Sequence, residues 1–504
     1  MTRPERAQIV NELGKKQTLP SDKGQFECMG MGVETVFLGL GPEPEKLLEW
    51  FPSVRTPLYV ECPEFEKQMG ENWKKRVPEQ FWPMPAEAFT PAFAKTARVF
   101  RYRPALKAFP SFWGPLAAKL SRAHWRECGI ERQVWLPTTE NDLLGDELAI
   151  AFGDEGYAAF RPAPFKAANA PGTYLPDLLQ TAVPELFFSV NFKGLDPFGL
   201  GFNLLREAGA RVAVWLVDNP FNLLTSVKSG YWKEVELFIT DSSFMLPLRE
   251  LGAKNVHYLP LAASPQLFQK NGKLPEFAKG IGDRLVFVGR SEFPDKQKYY
   301  AGLKLDRQHW DEARQMLVDG KRPDFHWWQE QTGVSALWPG NDVRLPGLGA
   351  EESGRTWRTM CLKASPNLTV FGDDGWKDIL GPGTDVRPVV DYYGALPAIY
   401  REAGMCLNMT SPQLPAGLTQ RHFDVWCAGG FLMTDDTPGL DLFPDELVRP
   451  IVFSSADDIS AKHDELMAND RFRTELQTAW QTHILREHAY ENRVKLVLEG
   501  VGLE

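Results

Sequence analysis

Three polar residues, Gln420, Arg421 and Asp424, follow a loop holding Pro412, Pro415 and Gly417, and their three- and four-residue spacing places them on one face of a helix. Thr419 suits the N-cap of that helix, and Phe423, Trp426 and Cys427 mark its core face. Backbone N–H groups at Leu418 to Gln420 and the positive end of the helix dipole would form an anion site from Gly417 to Arg421. Arg421 could add a charged contact to a phosphate, and Asp424 could accept from vicinal ribose hydroxyls. Spacing alone equally allows Arg421 and Asp424 to be a surface ion pair.

The elements that must position these residues are legible on either side. The apolar run from Gly404 to Met409 predicts a short buried strand that holds Asn408, a further donor-side candidate, and Gly429-Gly430 close the helix before a strand at Phe431 to Met433. Upstream, Leu186 to Val190, Arg211 to Val217 and Leu237 to Thr240 predict strands alternating with helices, and Val256 to Leu259 adds another. Such a βαβαβ run builds a parallel sheet with ligands beyond its strand C-termini, where Asn191, Asp218 and Asp241 stand. Asp218, followed by Asn219-Pro220, is the candidate general base or acceptor-positioning carboxylate. Asn191 and Asp241 are the acceptor-side alternatives, and a plain turn-capping aspartate is the other reading of Asp218.

The run Leu418-Thr419-Gln420-Arg421-His422-Phe423-Asp424, with Ala428 to Asp435 after it, resembles the signature of the CgeB-like (spore maturation protein) glycosyltransferases of the GT-B superfamily. Trp215 to Pro220, Leu259 to Ala262 and Arg486 to Arg493 resemble other parts of that family, so the likeness spans roughly residues 184 to 498. It implies an α/β fold of GT-B type: two Rossmann-like domains facing a cleft, and a last helix returning to the N-terminal half. It also implies a nucleotide-sugar donor as substrate, no separate cofactor and no metal. By the same resemblance Gly289 and Arg290, after the strand Arg284 to Val288, approach the donor phosphates, with Lys296 and Lys298 nearby. Asp424 falls on the second acid of the superfamily's Glu-x7-Glu motif. The position of the first acid is Ala416, so the sugar-handling half of that motif is missing.

A different chemistry is suggested by Gly39-Leu40-Gly41 after the strand Glu34 to Leu38, with Glu61 ending the next strand. That pattern fits an S-adenosylmethionine- or NAD-dependent enzyme, although Pro44 replaces the third glycine. A non-catalytic sugar-nucleotide-binding protein is the third possibility. Asp373-Asp374 and Asp435-Asp436 follow strands into turns, where aspartate is common, and are not read as metal ligands.

Length and composition fit a multidomain globular chain. The 504 residues exceed one core, so about two to four domains are expected. The expected divisions are a polar arm (1–30), an N-terminal α/β region (31–165), an acceptor-side Rossmann-like domain (166–281) and a donor domain (282–480). A Trp-rich insertion (299–365) interrupts the donor domain, and a C-terminal helix (481–504) follows. Within the second region, Val134 to Pro137 and Leu148 to Phe152 are expected as strands. A net charge of −10 argues against nucleic acid as partner. The sequence has no 18-residue apolar run and no apolar signal segment, so a cytoplasmic protein is expected. The six cysteines lack paired metal-ligand spacing and read as reduced thiols. The acceptor, a protein or a surface glycan, is not specified by any motif.

Overall fold

The computed structural model describes residues 6–138, 142–161, 171–269 and 272–503. Two six-stranded sheets, each wholly parallel, dominate the architecture. The first runs in the order Asn255–Tyr258, Glu236–Ile239, Arg211–Leu216, Val183–Val190, Ile130–Trp135, Ala158–Phe160. The second runs Asp385–Arg387, Leu368–Phe371, Leu285–Val288, Met405–Asn408, Leu432–Asp435, Val452–Phe453. Both sheets are buried on two faces, which is why their strands read as continuous apolar runs: Val214, Trp215, Phe287, Val370 and Leu407 are all essentially inaccessible.

The C-terminal strand ends of the two sheets meet. Asn219, just beyond the strand Arg211–Leu216, donates through Nδ2 to the Gln413 carbonyl at 3.0 Å. Gln420 Nε2 donates to the Ala262 carbonyl at 2.5 Å from the opposite side. The two parallel-sheet halves thus face each other about a cleft, as expected. The final helix, Tyr490–Gly500, crosses back: Ala263 N–H donates to the His488 carbonyl at 2.8 Å and Tyr490 N–H to the Ala263 carbonyl at 3.0 Å. The buried Arg493 then holds the Pro260 and Leu261 carbonyls.

Several local expectations differ from the structure. The segment from Arg6 to Pro20 is not a loose arm but an antiparallel hairpin, Arg6–Val10 with Lys16–Pro20, whose Ile9 and Leu19 are buried. Leu148 to Phe152 lie in a helix, Gly145–Asp154, because five consecutive apolar residues suit a buried helix face as well as a strand. Ile130–Trp135 and Ala158–Phe160 join the first large sheet rather than the N-terminal region, whose own five-stranded sheet spans Phe26 to Tyr102. The expected boundary at 165/166 lies outside the described residues. The expected boundary at 480/481 falls inside the helix Asp470–Glu487. The insertion packs its aromatics on the first large domain: Phe325 stacks on Phe221 at 6.2 Å and Trp338 meets Trp232 edge-on at 5.5 Å. Among the described residues no helix is long and apolar enough to cross a membrane.

Candidate functional site

A cleft of about 640 Å³ opens between the two halves, lined by Gly289, Arg290, Thr419, Gln420, Arg421 and Asp424 from the second sheet's domain and by Leu143 from the first. Tyr392, Tyr393 and Tyr400 complete its wall. Six donor-side candidates named from the sequence thus come together, from stretches more than a hundred residues apart.

The helix behind them is short, Arg421–Cys427, and its entry differs from the expected Thr cap. The Thr419 N–H donates to His422 Nδ1 at 3.1 Å, which leaves the ring proton on Nε2, 3.0 Å from Thr434 Oγ1. One of the N–H groups expected to be open to an anion is therefore occupied. Thr419 Oγ1 donates instead to Asn408 Oδ1 at 2.9 Å. Burial drives the pKa of His422 down to about 4, so the ring is neutral at physiological pH. Asn408 is fully buried, with Nδ2 on Thr434 Oγ1 and Oδ1 shared by Thr419 and Arg421. It braces the helix rather than facing the cleft. Gly417 and Leu418 are likewise buried beneath the loop.

Arg421 ties the two donor-side loops. Its Nε and Nη2 both donate to the Val288 carbonyl, at 3.0 and 2.6 Å, and Nη1 donates to Asn408 Oδ1 at 2.8 Å, while the guanidinium sits over the Phe287 ring at 5.1 Å. A β-carbon at Gly289 would stand 2.9 Å from Arg421 Nη2, which explains the glycine there. The surface ion pair with Asp424 is not formed. Asp424 is buried and accepts from Tyr392 Oη at 2.7 Å and Gln420 Nε2 at 2.9 Å. Burial raises its carboxyl well above the usual range, against those two hydrogen bonds. Arg290 is exposed at the cleft mouth, whereas Lys296 is buried and paired with Glu352 at 2.7 Å.

Asp218 is held by its neighbour. Asn191 Nδ2 donates to Asp218 Oδ2 at 2.8 Å while Asn191 Oδ1 accepts the Val217 N–H at 3.0 Å, so the amide fixes the carboxylate. Asn191 and Phe192 both have positive φ, 54° and 62°, a conformation costly for a bulky phenylalanine. Asp218 touches solvent yet is crowded by protein, and that crowding raises its carboxyl against the help of Asn191 and the nearby Lys193. Lys193 in turn pairs with Asp142, next to cleft-lining Leu143. Asp241 does a different job: its Oδ1 accepts the Ser243 N–H at 2.8 Å and its Oδ2 the Ala416 N–H at 3.0 Å. Fully buried and doubly engaged, it clamps the loop beyond Pro412 rather than presenting a base.

One acid was not singled out from the sequence. Glu147, buried in the helix Gly145–Asp154, accepts from Tyr393 Oη at 2.8 Å across the two halves, and its Oε1 is buried without a hydrogen bond. Burial raises this carboxyl too. It directly precedes an apolar run that reads as a strand, so nothing local marks it.

The Gly39 turn is shaped for packing. A β-carbon at Gly39 would stand 3.2 Å from Tyr102 Cβ, and one at Gly41 3.3 Å from Tyr102 Cε2 and 3.4 Å from Phe26 Cζ. Glu61 accepts the Leu40 and Cys62 N–H groups at 2.7 and 2.9 Å, and burial lifts it to about 8. Both carboxyl oxygens are used on the backbone, where a ribose contact would need one. Asp373 is held by Ser291, and Asp435 by Thr410 and Arg322. Among the described residues no three His, Cys, Asp or Glu side chains cluster as a metal site.

Residues 355–499 match a family described as glycosyl transferase-like. The curated proteins contain no match. Solved structures similar in outline include HepE of Anabaena in complex with UDP and glucose, at 9% identity and a TM-score of 0.41, covering 74% of this chain and 100% of that one. Sucrose-phosphate synthase of Thermosynechococcus elongatus aligns at 10% identity and a TM-score of 0.39, covering 73% and 98%.

Proposed function

We propose that the protein is a glycosyltransferase that moves a sugar from a nucleotide-sugar donor to an acceptor hydroxyl, acting in the cytoplasm and within the CgeB-like branch. The observation that carries this reading is the convergence of Gly289, Arg290, Thr419, Gln420, Arg421 and Asp424 on one interdomain cleft, the last four of them within the glycosyl transferase-like match. In this reading the diphosphate lies against Thr419 to Arg421, the part of the loop that reaches the cleft, and beside Gly289-Arg290. Asp424 orients the ribose, exchanging Tyr392 or Gln420 for a sugar hydroxyl. Asp218, fixed by Asn191, takes the proton of the acceptor hydroxyl as it attacks the anomeric carbon, and the nucleoside diphosphate leaves. No separate cofactor enters this scheme; the donor is itself a substrate.

The test is a calorimetric screen of nucleotide sugars differing in base and sugar, alongside S-adenosylmethionine and NAD, followed by assay of donor hydrolysis. Binding of one nucleotide sugar with slow hydrolysis is expected. Binding without hydrolysis or transfer to any acceptor would make the chain a sensor, and binding of S-adenosylmethionine or NAD alone would refute the assignment.

A further inference from the structure

The helix Arg344–Ala364 has no chemical signature in the sequence, yet it brings a guanidinium between the two donor-side loops. Arg358 Nη2 donates to the Ser291 carbonyl at 3.4 Å, directly after Arg290. One turn earlier, a β-carbon at Gly354 would lie 2.9 Å from Pro412 Cδ and 4.0 Å from Arg358 Nη1. Arg358 therefore stands where the Gly289–Ser291 segment and the loop beginning at Pro412 approach each other.

Its charge is poorly balanced. The carboxylate beside it, Glu351, is 3.8 Å away, and Glu352 is committed to Lys296. Arg421 and Arg355 are close enough to repel it, and burial further disfavours its cationic form. Its Nε is buried without a hydrogen bond. Arg421 meanwhile uses its donors on neutral groups, the Val288 carbonyl and the Asn408 amide. Two half-buried guanidinium groups thus lie close enough to repel each other, and Glu351 stands at the edge of ion-pair distance from Arg358. A dianion placed between them would remove the repulsion and supply the missing acceptors.

We propose that Arg358 binds the diphosphate of the donor, closing from the helix side the anion site that Gly289, Arg290 and the loop to Arg421 bound from the other. The inference rests on the function proposed above. It makes the insertion a part of the donor site rather than a structural appendage, with the planar guanidinium reaching two phosphate oxygens at once.

Inorganic pyrophosphate, uridine, UMP and the nucleoside diphosphates of the common bases are titrated into the full chain and into Arg358→Gln, Arg358→Lys and, as control, Lys363→Gln. Pyrophosphate and any diphosphate the parent binds are expected to bind Arg358→Gln about ten- to a hundredfold more weakly, the range for a charged hydrogen bond. Arg358→Lys should lose less, and the control and the nucleoside should be unchanged. If Arg358→Gln melts early, Arg358→Lys and its salt dependence decide, because retained charge should preserve part of the affinity. Equal pyrophosphate affinity in parent and Arg358→Gln, or an equal loss for nucleoside and diphosphate, overturns the proposal. A parent that binds neither pyrophosphate nor any nucleoside diphosphate instead overturns the function on which it rests.

Discussion

Asp241 Oδ2 accepts the backbone N–H of Ala416 at 3.0 Å, joining two positions 175 residues apart and one half of the molecule to the other. Its second oxygen starts the short turn at Ser242, so a single buried carboxylate sets the loop that leads to the donor side. Asp241→Ala leaves two N–H groups unpaired and is expected to cost about 1–3 kcal/mol of stability in denaturant unfolding and to weaken nucleotide binding. Transfer at saturating donor should stay near the parent rate. A loss of turnover with binding intact would instead make Asp241 a participant in the chemistry.

Arg421 and Asp424 should separate in their effects. Arg421→Lys cannot make the two-pronged contact to Val288 O, so it should destabilise the fold and weaken diphosphate binding together, by about 1.5–3 kcal/mol. Asp424→Asn preserves shape and should erase the preference for ribonucleotides over 2′,3′-dideoxy analogues. Calorimetry with matched nucleotide pairs checks this; an undiminished preference removes Asp424 from the ribose.

Asp218→Asn should keep donor affinity and lower transfer more than about a hundredfold, the signature of a group used in the transition state. Asn191→Ala, which frees the carboxylate from its orienting amide, should lower turnover less while leaving donor binding unchanged. Transfer by Asp218→Asn at the parent rate would assign that residue to the turn before Pro220.

His488 provides a pH test of the docking of the last helix. Arg493 donates to its Nδ1 at 2.7 Å, and burial with that neighbouring cation drives its pKa down to about 3 from an ordinary 6.5. The unfolded chain therefore binds a proton at a pH where the folded one does not, and this group's contribution, complete above pH 6.5, is lost as pH falls from there toward 3. Relative to His488→Gln, the parent should lose about 1.4 kcal/mol of stability per pH unit below 6.5. A constant stability difference between the two from pH 7 to 5 would show that the histidine takes up its proton in the fold as readily as in the unfolded chain.

By itself the sequence determined the parts set by local periodicity and composition. The alternating strands and helices from Leu186 to Tyr258 and around Met405 to Asp435 are readable because buried parallel strands must be continuous apolar runs bounded by turn residues. That Arg421 and Asp424 stand on one helix was readable as geometry. Only the tertiary structure decided what each polar group bonds to. Asn408 turns inward because Thr419, Arg421 and Thr434 surround it, and Asp241 belongs to Ala416 rather than to an acceptor. Glu147 matters because Tyr393 reaches it from 246 residues away. Leu148 to Phe152 became helix because a short apolar run has no period of its own and takes the form its neighbours can bury. A carboxylate's role depends on which donors and how much water surround it, and those are supplied by folding, from parts of the chain that no local motif connects.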